Sequence, residues 1–117
     1  MTTIDALDLE AIRRRLEAER DELQESSEHS EAARRPVTLD QPSLGRLSRM
    51  DALQDQAMAL ATEERRQRRR QRIGAALERL ERDEYGLCVR CGEEIGPKRL
   101  ELDPSVPTCL ACADAAG

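Results

Sequence analysis

Four cysteines are the side chains here whose type and spacing could do chemistry. Cys88, Cys91, Cys109 and Cys112 fall as two CxxC pairs with seventeen residues between them. Each pair can present two thiolates from one tight turn, and the intervening stretch is long enough to bring the pairs together. This spacing reads as a four-cysteine zinc site. Zinc takes four ligands in a tetrahedron, and four sulfurs leave no open position for water or substrate. One structural Zn2+ is therefore the expected cofactor, and an enzyme is not expected. Two other readings compete. A pair of disulfides would need an oxidising compartment, but the N-terminal MTTIDALDLE lacks the basic, apolar and small-residue progression of a signal peptide. A reducing, cytoplasmic location is expected, and disulfides are rare there. A thioredoxin-like redox CxxC wants a βαβ pattern around it, which the sequence does not offer. The single histidine, His29, lies far upstream and reads as a surface residue.

The elements that must position these cysteines are helical. At 117 residues the chain has room for one small domain plus an extended element. Tyr85 is the only aromatic residue and 37% of the residues are charged, which excludes a large packed core. Abundant Ala, Glu, Leu and Arg suit long helices or a coiled coil. Apolar runs fall far short of the roughly 20 residues that span a bilayer, so no membrane partner is expected. The net charge of −5 argues against sequence-independent DNA binding over the whole surface. Arg65, Arg66, Arg68, Arg69, Arg70 and Arg72 nevertheless crowd into eight residues. Such blocks are usually solvated, ion-paired faces, here with Asp5, Asp8 and Glu10 as acidic partners, and the alternative is a contact with phosphate or with an acidic protein.

The expected fold class is mainly α: a long antiparallel helical hairpin, or coiled coil, over residues 1–84, then a small four-cysteine zinc-finger domain over 85–117 with a short C-terminal helix. Helix one is placed at about 4–33, capped by Asp5 or Thr3, with Leu9, Ile12, Leu16 and Leu23 on one stripe. That stripe fades into Ser26, Ser27 and Ser30. Pro36 and Pro42 break the helix, giving a tip loop at about 34–45. Helix two is placed at about 46–84, with Ser48 as a possible cap, Met50, Leu53, Ala57 and Leu60 on its first apolar stretch, and Ile73, Leu77 and Leu80 on its last. Gly86 reads as its stop. Neither stripe can be buried alone, so the two helices should pair as an αα-hairpin. The finger's apolar residues, Ile95, Leu100, Leu102, Val106 and Leu110, cannot supply a self-sufficient core. Domains this small usually need a metal or disulfides.

Tyr85-Gly86, Cys88, Cys91-Gly92, Ile95, Arg99-Leu100, Pro104, Cys109 and Cys112 resemble the zinc-finger pattern of the DksA/TraR family, and the preceding hairpin is similar to that family's architecture. The resemblance implies a regulator that binds bacterial RNA polymerase directly. Its hairpin enters the secondary channel and changes the lifetime of promoter complexes, often with the nucleotide ppGpp. It implies no sequence-specific DNA reading, which agrees with the absence of aromatic stacking residues and of a recognition-helix module. The family's tip motif, D-x-x-D-x-A, appears here as Asp51-Ala-Leu-Gln-Asp55-Gln-Ala57, with one residue more between the acids. Positions four apart share a helix face, so Asp51 and Asp55 are candidate partner-binding residues, with Arg46 and Arg49 beside them and Asp40 as a second acidic candidate. A monomer is expected. The alternative is a zinc-stapled helical adaptor that binds another protein without transcriptional activity, because a fold does not fix a function.

Overall fold

A computed structural model describes residues 7–36 and 46–116. The elements are α1 (Leu9–His29), a 3-10 turn (Glu31–Arg34), α2 (Arg46–Glu81), α3 (Pro97–Leu102) and α4 (Leu110–Ala116). The described residues are mainly helical. They contain no strand, only one isolated antiparallel bridge between Leu87 and Glu94. No helix among them is long and apolar enough to cross a membrane. Among the described residues, those up to Asp21 and from Arg70 onward form one compact unit, and those between Glu22 and Arg69 form the other.

Helix α1 begins later than the sequence suggests. Its cap is Asp8, whose Oδ1 accepts from the Ala11 amide at 3.1 Å, satisfying one of the free donors of the first turn. Thr3 and Asp5 lie outside the described residues. The helix ends at His29, and the chain tightens into the 3-10 turn instead of continuing to residue 33. Helix α2 starts at Arg46, so Ser48 lies inside it and is not its cap. Its stop also differs from expectation. Asp83 adopts a left-handed φ of 57°, and the Glu84 amide reaches back to the Arg79 carbonyl at 2.9 Å. This satisfies a terminal carbonyl, as glycine usually does at this position. Gly86, with φ 92°, instead turns the chain into the first cysteine pair.

The apolar core lies in the first unit. Leu16 of α1, Ile73, Ala76 and Leu80 of α2, Tyr85, and Ile95, Leu100 and Val106 of the cysteine-bearing segment are all buried. The Tyr85 hydroxyl donates to the Pro104 carbonyl at 2.8 Å. Arg15 Nη1 donates to the Glu101 carbonyl at 2.7 Å, and Arg72 pairs with Asp103 at 3.5 Å. The last two contacts fasten the segment between the cysteine pairs to α1 and α2, and the first ties it to the residues that follow α2. Leu102 and Leu110 do not join the core but face solvent, 84% and 60% exposed.

The second unit is held by a polar node. The two helices run antiparallel there, with Ser27 opposite Glu63 and Arg35 opposite Gln56. Buried Ser27 donates its hydroxyl to Glu63. Arg34 and Arg66 approach the same carboxylate at 3.6 and 3.7 Å, and both donate to Ser30 Oγ, at 2.7 and 3.0 Å. The Ser27 hydrogen bond, opposed by burial and aided by Arg34 and Arg66, holds the Glu63 carboxyl below its ordinary value. Within the arginine run, Arg66, Arg68 and Arg72 meet Glu63, Glu64 and Asp103. The expected pairing with Asp8 and Glu10 is not how these three are neutralised, and Asp5 lies outside the described residues.

Candidate metal centre

The first cysteine pair sits on a backbone knuckle. The Cys88 amide donates to the Glu93 carbonyl at 2.7 Å, the Gly92 amide to the Cys88 carbonyl at 2.9 Å, and the Ile95 amide to the Gly86 carbonyl at 2.9 Å. Gly92 adopts φ 78°, a conformation open to glycine at no steric cost, and it lets the chain fold back directly after Cys91. The second pair belongs to the start of α4, where the Ala113 amide donates to the Cys109 carbonyl at 3.0 Å. A bond from the Val89 amide to the Pro107 carbonyl, 2.9 Å, holds the two knuckles side by side. Between them lies α3, a short helix in the stretch that joins the two cysteine pairs. Pro97 at its first turn, after Gly96 with φ 98°, was the available signal, since proline is favoured there.

The four sulfurs lie within 4.8 Å of one another. With zinc–sulfur bonds of about 2.3 Å, sulfurs at the corners of a tetrahedron stand about 3.8 Å apart. The Cys91–Cys109 sulfur separation is 3.7 Å. The donor set thus fits one Zn2+ held as a structural centre. The backbone prepares it for thiolates: burial opposes ionisation of Cys88, yet amides of Cys109, Cys91 and Arg90 draw its thiol down to about 6. The crowding of like groups is as plain at Cys112, where the sulfurs of Cys109, Cys91 and Cys88 push the thiol up to about 12. A fully ionised set therefore calls for a cation among the four sulfurs, and the four-sulfur shell then leaves no open coordination position.

Asp51 and Asp55 both lie on the exposed surface of α2, in its first turns, and Arg49 is half-buried beside them. Arg46 is the first residue of α2, but its side chain lies outside the described residues, as does Asp40. Met50 and Leu53, 56% and 43% exposed, flank the two acids. His29 is exposed at the end of α1, well away in sequence from the cysteines.

A mainly helical hairpin with a four-cysteine module defines a class, the C4-type zinc-finger proteins built on paired helices. Residues 83–116 match the prokaryotic dksA/traR C4-type zinc finger. The chain is 32% identical over 108 residues to the RNA polymerase-binding transcription factor DksA of Escherichia coli K12, covering 89% of this chain and 63% of that protein. It is 38% identical over 56 residues to the protein of the same name from Haemophilus influenzae, covering 48% of this chain and 39% of the relative. The chain therefore spans less than two thirds of the length of either. Among solved structures, the transcription factor DksA2 from Pseudomonas aeruginosa superposes with a TM-score of 0.73 at 29% identity, covering 92% of this chain and 81% of that one. The protein is DksA-like, and its cysteine module is a DksA/TraR zinc finger.

Proposed function

We propose that this protein is a zinc-containing transcription regulator that binds bacterial RNA polymerase directly. Its hairpin, residues 1–84, enters the secondary channel and modulates promoter complexes, with ppGpp as a co-effector at the polymerase interface. The finger, residues 85–117, is held by one Zn2+ on Cys88, Cys91, Cys109 and Cys112, and the protein acts in the cytoplasm as a monomer. The observation that carries this reading is the likeness to DksA2 over 92% of the chain, joined to the name borne by the Escherichia coli relative. A closed sulfur shell supports a binding role over catalysis.

On this reading Asp51 and Asp55, exposed four residues apart on α2, act at the polymerase active site, while Arg46 and Arg49 meet acidic groups lining the channel. The test is binding of labelled, zinc-loaded protein to purified core polymerase, with a Gre-type cleavage factor as competitor. Saturable binding displaced by the competitor is the expected result, and no binding at micromolar concentration overturns the reading. The double variant Asp51→Asn, Asp55→Asn should keep its polymerase affinity and lose its effect on transcription. Unchanged transcription by that variant removes the tip from the mechanism.

A further inference from the structure

The finger carries an open apolar groove of about 570 Å³ that the metal centre does not use. Ile95, Pro97, Leu102 and Leu110 form its walls, and Lys98 and Arg99 are the charged residues that line it. Leu102 and Leu110 stand 84% and 60% exposed. Neither is needed by the finger's own core, which is supplied by Ile95, Leu100 and Val106. On α3 the contrast is direct: Leu100 is buried at 1% exposure, and Leu102, two residues on, is almost fully in water. A single exposed leucine is ordinary, but two leucines converging on one concave surface form a contiguous patch of the kind that marks an interaction site.

The charge at the groove points to the occupant. Its lining holds two cations and no acid. Lys98 is exposed and pairs with no carboxylate among the described residues. Arg99 is fixed in place by its Nε, which donates to the Thr108 carbonyl at 3.1 Å, so its guanidinium is held beside the groove without being neutralised there. Apolar walls flanked by fixed positive charge complement a segment that couples a leucine-sized side chain to carboxylates, since complementary charge selects and orients a partner. We propose that this groove docks an acidic amphipathic segment of RNA polymerase, separately from the hairpin tip. The inference rests on the polymerase-binding reading and adds to it a second point of attachment and the chemistry of that contact.

The test uses the full-length, zinc-loaded protein and purified core polymerase. Leu102→Asp and Lys98→Glu alter exposed side chains, so circular dichroism and zinc content should match the wild type. Each should weaken polymerase binding roughly ten- to hundred-fold, the range expected for losing one buried leucine contact or inverting one complementary charge. Lys98→Arg, which retains the charge, should bind as the wild type does. Wild-type binding with undiminished affinity of both Leu102→Asp and Lys98→Glu overturns the groove proposal and leaves polymerase binding standing. A wild-type protein that does not bind polymerase overturns both. Loss of self-association in Leu102→Asp, with polymerase affinity unchanged, assigns the groove to a second copy of the chain and likewise overturns the proposal.

Discussion

Tyr85 makes the finger's attachment measurable, because it is the only aromatic residue in the chain and reports without interference. It is 1% exposed and donates to the Pro104 carbonyl at 2.8 Å. Burial, helped by Asp103 and opposed by Arg79 and Arg15, pushes its hydroxyl up to about 12, against an ordinary value of about 10. The folded value lies above the unfolded one, so the neutral phenol favours the fold. That contribution is complete below about pH 10 and is lost as pH rises through about 12. Its size is on the order of 3 kcal/mol. At about pH 11, roughly one tenth of Tyr85 should be ionised in the folded protein and roughly nine tenths in the unfolded chain. Tyrosinate absorbance, followed against pH with and without denaturant, reads both fractions, and circular dichroism confirms that the helices persist. A folded-state midpoint near 10 with helicity intact refutes the argument that this hydroxyl is sealed against Pro104. Tyr85→Phe leaves the buried carbonyl without its donor. It should cost about 1–3 kcal/mol in urea unfolding and flatten the loss of stability between about pH 10 and 12.

Two further predictions follow from the metal centre and the polar node. Removing the metal with a chelator should abolish hydrogen-exchange protection at the Cys88, Gly92 and Ile95 amides, because zinc binding in comparable peptides is worth about 10–16 kcal/mol of folding free energy; protection that survives chelation would show that the knuckles hold themselves. Ser27→Ala should destabilise the protein by about 1 kcal/mol, measured by urea denaturation at neutral pH. Glu63 is held below its ordinary 4.5, chiefly by Ser27, so its contribution is present above that pH and lost as pH falls through the depressed folded value. The same variant should therefore soften the acid limb of stability, and an unchanged acid limb would rule out Ser27 as the cause.

The metal centre was legible because coordination chemistry fixes residue type and spacing together: two CxxC pairs leave few alternatives. The helices were legible from their apolar stripes, although α1 stops at His29, before Pro36 is reached, and Pro42 lies outside the described residues. Their ends were not. Asp8 won over Asp5 as the cap of α1, and Asp83 took the left-handed position that Gly86 was expected to fill. Each choice depends on one residue's backbone angles, and neighbouring candidates of similar propensity look alike in sequence. The Ser27–Glu63 node was hidden for a different reason. Its partners are 36 residues apart, and the fading of the α1 stripe into serines reads as weakness until the acid across from it is known. Leu100 and Leu102 are the same residue type two positions apart, and only the path of α3 decides that one is core and the other surface.

The contacts that build the two units close loops of very different length. Those of the second unit join residues 21 to 36 apart, whereas Arg15 reaches the Glu101 carbonyl across 86 residues. Closing the longer loop costs about 0.8 kcal/mol more in chain entropy than closing one of 36. The difference in timing during synthesis is larger. The serine–glutamate pairing is available once Glu63 has emerged from the ribosome, before Glu101 has followed it. Arg15 of α1 must wait for Glu101, at the end of α3. Arg15 thus waits longer for its partner than Ser27 does for Glu63, although it is made first of the four.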